Sequence, residues 1–354
     1  MASLIQSFQN AITWLVQLFW DLAAFTPKNQ AIGQICSKAS PAEFQRLFLG
    51  KRALVVGGTK GIGSGIAVAL AEAGASVHLV GRDKAAAAQI LGRMQIGKMS
   101  MNVPMSGSDF QFTAADLASV QGCIQLVETI AERKEKCKFD AVVMTVGAWP
   151  DLTNPLTKDG YNRVLFLDVL AKFIIFTKLH ERGMLAEGAA VMSVCASGQE
   201  LPLARLAKPY LKNLIMSSGG KAGADPLFLR TLVSAGVSAD AFLLMASKAH
   251  KTYKFIGTFP GLVATDVMVS TFGRFISNLG KKLLHMLALF NISMSEQECG
   301  VNHMNILAQV FQNDFPVTFW DHFLQARTAS TLASDDEFQK WVWNLGSTVL
   351  KTGS

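Results

Sequence analysis

The stretch VVGGTKGIGSG, residues 55–65, sets Gly57, Gly61 and Gly63 at G-x-x-x-G-x-G spacing, where an apolar run gives way to a helix-like pattern. Glycines so placed make a tight turn, let a pyrophosphate approach the backbone and let a helix pack closely on a strand. The helix N-terminus then offers free N–H groups and a partial positive charge to the phosphates. The next apolar run ends HLVGRD. A site for unphosphorylated NAD usually carries Asp or Glu at that tip to hold the ribose hydroxyls. Here the tip is Gly81-Arg82, and Lys60 lies inside the glycine loop. Two cations there suit a 2′-phosphate, so the expected cofactor is NADP (NADPH). Asp83 follows immediately and offers the ribose a carboxylate as the alternative.

Such a loop needs a strand before it, a helix after it and further strands to complete the crevice. Strand-like and helix-like segments alternate along the chain. Strands are expected over 52–58, 76–82, 110–117, 139–148, 189–198 and 254–261, with helices over 61–74, 83–94, 117–135, 161–183 and 226–250. This repetition predicts an α/β chain: a Rossmann-type doubly wound parallel sheet, with an N-terminal helical extension. Residues 26–50 read as a linker with a short helix, opened by Ser40, Pro41 and Glu43. Ser295 and Glu298 form a second capping-box pattern. Residues 95–109 and 211–226 read as loops, and 315–354 as amphipathic pieces. The expected division is 1–49 (amphipathic helix and linker), 50–330 (dinucleotide-binding domain) and 331–354 (C-terminal tail).

With these pieces in order, the chain resembles the short-chain dehydrogenase/reductase superfamily over roughly residues 50–330. VGGTKGIG is similar to the family's T-G-x-x-x-G-I-G, with Val56 in place of Thr and with Thr59 and Ile62 inside the motif. AADL resembles the segment that meets the adenine, with Asp116 as its contact and Leu117 beside it. FPGLVATDVM resembles the family's P-G-x-x-x-T turn, which implies that Pro260, Gly261 and Thr265 hold the nicotinamide carboxamide. The family's N-A-G reads TVG here, leaving Gly147.

The resemblance implies hydride transfer, with a Tyr protonating the carbonyl oxygen and a Lys four residues later lowering the Tyr pKa. In the family a Ser holds the substrate oxygen and an Asn organises a proton relay. The chain departs at each place. Asp168 stands at the Asn position, and Cys195 or Ala196 at the Ser position. Thr231 and Ala235 stand where Tyr and Lys belong. Three residues are candidate replacements: Tyr210, flanked by Lys208 and Lys212; Cys195; and Ser193, which shares a strand face with Cys195 and Ser197. Ser217 with Lys221 has the right interval but lies among glycines. His250 and His285 read as ordinary surface or core residues. A general acid contributes about 10²–10⁴-fold, so its loss weakens the case for catalysis and leaves cofactor binding untouched. Two readings follow. One is an NADP-dependent oxidoreductase with a non-standard site acting on an apolar carbonyl or alcohol. The other is a catalytically inactive NADP-binding protein, a sensor or a subunit of a complex.

The bulk composition narrows the partners. The chain has 354 residues, 50% hydrophobic and 17% charged, enough for a large core. Its net charge of +7 is spread in single and paired cations, and no zinc-finger or RNA-binding pattern occurs, so nucleic acid is not an expected partner. No metal site is expected. The five cysteines lack C-x-x-C spacing, which points to free thiols in an intracellular, reducing compartment. Within residues 3–25, Gln6, Asn10, Thr13, Gln17 and Asp21 form one polar stripe on an otherwise apolar helix. A secretory or mitochondrial leader would carry basic residues, and none precedes Lys28. A peripheral membrane helix and a helix docked on protein both fit the stripe. The segment after the P-G turn is rich in Leu, Phe, Ile and Met, as a lid over a lipophilic small molecule would be. Homo-oligomer formation fits the same apolar surface.

Overall fold

β2 (Arg52–Val56), β3 (Ser76–Gly81) and β5 (Phe139–Met144) are short runs rich in Val, Ala and Leu, buried on both faces. A parallel sheet covered by helices on each side demands that pattern. The computed structural model describes residues 31–101, 109–133, 138–149, 154–195, 197, 228–261, 263, 265, 278, 282 and 293–353. Within them, these strands are neighbours, in the order β5-β2-β3, in a nine-stranded sheet of order β1-β9-β8-β7-β6-β5-β2-β3-β4. The remaining strands are β1 (Ala31–Ile35), β4 (Phe110–Ala114), β6 (Leu185–Val194), β7 (Lys254–Thr258), β8 (Val317–Trp320) and β9 (Gln325–Arg327). All pairs from β4 to β8 are parallel; β9 and β1 close one edge in antiparallel register. The chain leaves β2 in one direction towards β3 and β4, and returns on its other side as β5 and β6. The crevice of such a sheet lies at the carboxyl ends of its strands, at this reversal.

Two cores flank the sheet. One face is covered by α1 (Pro41–Phe48), α2 (Gly61–Glu72), α3 (Lys84–Ser100) and α8 (Glu296–Gln312). The other is covered by α4 (Val120–Ala131), α5 (Arg163–Leu165), a π-helical turn (Phe166–Leu170), α6 (Ala171–Glu181), α7 (Phe228–Ala249) and α9 (Asp336–Thr352). Both expected capping boxes form. Ser40 and Glu43 cap α1, and Ser295 and Glu298 cap α8, each hydroxyl accepting from the N3 backbone N–H. Helices α2 and α8 cross at a pair of glycines. A Cβ on Gly65 would stand 2.0 Å from the Glu296 carbonyl oxygen, and one on Gly300 2.4 Å from Gly65. Thr231–Ala249 is long and apolar enough to cross a bilayer, but it is a core helix, 61% buried.

The structure corrects two local readings and fills in a third. α3 runs to Ser100 instead of giving way to a loop at 95, because Gly97 packs against the Glu72 side chain and Lys98 pairs with Asp109 at 2.8 Å in the interior. Within 26–50 lies an edge strand, β1, which a linker reading omits. Residues 315–354 hold two strands and the long helix α9, whose Gly346 sits against the Phe173 ring and whose Asp336 pairs with Lys248. The expected N-terminal helix over 3–25, the loop 211–226 and nearly all of the apolar lid lie outside the described residues.

Candidate active site at the carboxyl edge of the sheet

The glycine loop leaves β2 through Gly57, whose φ of +91° belongs to the left-handed region that favours glycine. A Cβ there would lie 2.7 Å from Thr145 Oγ1 and 2.9 Å from the Val146 nitrogen. On Gly63 it would lie 2.3 Å from the Gly57 carbonyl oxygen. The cradle therefore exists only because both side chains are missing. α2 begins with Lys60 at its N-cap position, and no side chain caps it, so its first N–H groups are available to an anion. Thr59 is buried against Gly81, with its side chain turned into the loop's own packing, and Ile62 is half-buried against the core below.

At the tip of β3, Arg82 is exposed and makes no hydrogen bond or ion pair with any described residue. Asp83, the alternative ribose ligand, is engaged twice. It accepts from the Ala86 N–H at 3.0 Å as the cap of α3, and pairs with Lys60 Nζ at 2.7 Å. These partners, the backbone N–H first, hold its carboxyl below the usual range. Asp116 is exposed beyond β4 and accepts from the Ala118 N–H at 3.2 Å, while Leu117 is buried. At the far end, Pro260 and Gly261 follow β7, with Gly261 at φ +68° against the His322 ring. Thr265 is buried, and its Cγ2 would lie 3.3 Å from a Cβ on Gly61. The glycine loop and the P-G turn, some 200 residues apart in sequence, thus meet. The glycine cradle and the uncapped helix fit the pyrophosphate of a dinucleotide.

The reacting end is built differently from the pattern the resemblance implies. Thr231 and Ala235 are both buried in α7 and bring neither a phenol nor an ammonium. Tyr210, Ser217, Lys221 and His285 lie outside the described residues. His250 packs among the rings of Phe176, His180, Tyr253 and Trp343, as a core residue would. Ser193, in β6, and Cys195, just beyond its end, meet Lys172 and Asp168 respectively. Ser193 is wholly buried, and its hydroxyl accepts from Lys172 Nζ at 3.1 Å; the same ammonium donates to the Val194 carbonyl at 2.9 Å. Cys195 is half-buried, with Sγ 3.6 Å from Asp168 Oδ1. Ser197 lies over Gly257, 2.8 Å from where its Cβ would be.

Asp168 lies in the π-helical turn, at the carboxyl ends of β5 and β6, and is buried. A π turn often marks a functional position because it re-aims one side chain. Gly147 stands directly over it, and a Cβ there would fall 2.5 Å from Asp168 Oδ1. Burial pushes the Asp168 carboxyl up to about 6, against the opposing pull of Lys172, the Ala148 N–H and the Cys195 thiol. Lys172, absent from the sequence-derived site, has no exposed surface. Its trace in the sequence is the spacing Asp168-x-x-x-Lys172, which sets two charges on one helix face without showing where the ammonium goes.

The sequence and fold have known counterparts. A family model described as short chain dehydrogenase matches residues 51–207. A rhamnolipid-biosynthesis 3-oxoacyl-[acyl-carrier-protein] reductase of Pseudomonas aeruginosa is 31% identical over 131 residues, 37% of this chain and 46% of that protein. Human polyprenol dehydrogenase is 26% identical over 236 residues, 66% of either chain. The chain thus spans about half to two thirds of the length of these relatives. Among solved structures, a 3-oxoacyl-(acyl-carrier-protein) reductase of Agrobacterium tumefaciens with NADP bound superposes with TM-score 0.53 at 18% identity, covering 80% of this chain and 97% of that one. A Serratia marcescens short-chain dehydrogenase/reductase gives 0.51 at 18% identity, covering 78% and 98%. At such identities the superpositions establish the fold alone.

Proposed function

This chain belongs to the short-chain dehydrogenase/reductase superfamily, and on that premise we propose that it is an NADP-dependent oxidoreductase with a non-standard active site. It would interconvert a carbonyl and an alcohol on an apolar substrate. The observation that carries the reading is the pairing of an open dinucleotide cradle with ionisable side chains gathered at its reacting end. Bound NADPH would supply the hydride. Gly57, Gly61, Gly63 and the start of α2 would hold the pyrophosphate, with Arg82 and Lys60 at the 2′-phosphate and Asp116 near the adenine. Thr265 and the P-G turn would orient the nicotinamide and keep water from it. The substrates in the relatives' names, a 3-oxoacyl group and a polyprenol, support an apolar substrate, as does the Leu- and Phe-rich sequence of the lid.

The second reading, cofactor binding without turnover, is favoured by Thr231 and Ala235 in place of the proton-donor pair. Nicotinamide fluorescence with NADPH and NADH, followed by a panel of lipophilic aldehydes and ketones, separates the two readings. Oxidation of NADPH on any member of the panel establishes the first; binding without oxidation establishes the second. Arg82→Ala is expected to weaken NADPH about 10–100-fold, the value of a lost charge-assisted hydrogen bond, and to leave NADH nearly unchanged. Equal losses for both nucleotides would remove Arg82 from the 2′-phosphate. Membrane contact through residues 3–25 belongs to the same proposal, and fails if deletion of residues 1–27 leaves liposome binding intact. Location in an intracellular compartment and self-association are further parts of it, read from the cysteines and the apolar surface.

A further inference from the structure

The lost Tyr and Lys leave a question about the proton, and the described residues hold an answer in an unexpected place. We propose that Asp168 and Cys195 form a two-membered proton-transfer unit at the floor of the candidate site, with Lys172 as its buried counter-charge. This rests on the reading of the chain as a hydride-transfer enzyme.

Three features place the unit. Asp168 and Cys195 come from different elements, the π turn and the end of β6, yet their acid groups meet at 3.6 Å. Gly147 lets the carboxylate lie against the backbone after β5, since a Cβ there would fall 2.5 Å from Asp168 Oδ1. Lys172 lies one helical turn beyond Asp168 and reaches the end of β6, where its ammonium donates to Ser193 and Val194, the residues just before Cys195. A cation has thus moved to α6 while its usual helix, α7, carries Ala235. The Asp168 carboxyl is faced by Lys172 from its own helix, by the Ala148 N–H from the loop after β5 and by Cys195 from β6. α7, packed on the same turn, brings the buried Asp240 and the hydroxyls of Ser234 and Ser238. A carboxyl pushed up to about 6 by burial holds a proton over a range in which an exposed aspartate has lost it.

The proton step balances within the unit. As negative charge develops on the substrate oxygen, the Cys195 S–H bond breaks and an O–H bond forms. The thiolate recovers a proton as the Asp168 O–H bond breaks. Asp168 is left as a carboxylate near Lys172 and takes its next proton from water. No electron pair passes to the substrate carbon from these residues. Asp168 and Lys172 are positioning residues, since they act through Cys195.

The test follows the rate of Cys195 alkylation by iodoacetamide against pH on the full chain, read by peptide mass spectrometry. No substrate is needed. In two coupled acids the thiolate population rises with pH until the carboxyl ionises, then levels off, and rises again later. The expected log rate bends near pH 6 and runs shallow to about pH 8. In Asp168→Asn, which removes the carboxylate and keeps the shape, the bend disappears and the rate at pH 7 rises about tenfold, a shift of one pKa unit. A plain one-proton rise in the unaltered chain, or an unchanged profile in Asp168→Asn, overturns the proposal. If Asp168→Asn does not fold, the bend in the unaltered chain decides alone. A bend without carbonyl reduction upholds the coupled unit and sinks the enzyme reading. Reduction with no bend does the reverse.

Discussion

Lys172→Met is expected to lose about 3–5 kcal/mol of folding stability at pH 8, the cost of leaving a buried charge without its partner. Near pH 5 the loss should shrink to about 1–3 kcal/mol, the cost of a buried carbonyl left without its donor. The reason for the difference is Asp168. Its carboxyl is held above its ordinary value of 3.8, at about 6, so the native state binds a proton there more readily than the unfolded chain. The stability this contributes is fully present below 3.8 and is lost as pH rises through about 6. Lys172 opposes that loss by favouring the carboxylate. Without the cation the carboxyl is pushed higher still, and the loss continues into the alkaline range. At pH 5 Asp168 is largely neutral in both proteins, and what remains is the Val194 carbonyl, which loses its 2.9 Å ammonium donor. Methionine keeps most of the stem volume, so packing changes little. Urea unfolding at the two pH values checks the claim. A loss independent of pH would mean that Lys172 is only a packing element with a hydrogen-bonded tip.

The glycine loop was legible in the sequence because its constraint is local. Gly57 needs a left-handed φ, and Gly63 must lack a Cβ beside the Gly57 carbonyl. Both facts follow from spacing along one turn of chain. The capping boxes at Ser40 and Ser295 are local in the same way. β1 and β9 were not legible, since strands of five and three residues form only by pairing with distant chain: β1 on β9, Ala31 opposite Arg327, and β9 in turn on β8. β9 is further set by Asp321, which binds the Arg327 guanidinium from the preceding turn. The continuation of α3 past residue 95 was hidden for a similar reason. Gly97 and Ser100 read as loop-forming, and the side chains that overrule them, Glu72 and Asp109, come from elsewhere in the fold. In the site, the departures at Asp168, Thr231 and Ala235 could be counted from the motif spacing. That Lys172 supplies a cation from the neighbouring helix could not, because its destination at Ser193 and Val194 exists only once α6 lies against β6.

Gly65→Ala should be among the most damaging single-methyl additions in the chain, while Gly92→Ala should be mildly stabilising. The two glycines lie in helices of the same face of the sheet. At Gly92 an added Cβ meets nothing within 4 Å, so alanine only restricts the unfolded chain and raises helix propensity, a gain of about 0.4–1 kcal/mol. At Gly65 the new atom would stand 2.0 Å from the Glu296 carbonyl oxygen and 2.8 Å from its carbon. Both are backbone atoms, so no rotamer change relieves the overlap, and α8 must move away from α2. Overpacking of this kind costs about 3 kcal/mol or more when the neighbour cannot yield. The movement also reaches the site. Ser64 donates to Glu296 at the start of α8, and Met294, just before the helix, bridges to Val263 in the P-G-x-x-x-T segment. Thr265, two residues on, packs over Gly61 in the glycine loop. Separating the helices therefore draws the two halves of the cradle apart. Gly65→Ala should weaken NADPH at least about tenfold (1.4 kcal/mol) even where the protein remains folded, and Gly92→Ala should leave it unchanged. Thermal unfolding with and without NADPH reads both effects together. A Gly65→Ala protein with unaltered NADPH affinity would show that the crossing of α2 and α8 holds the fold but does not set the cradle.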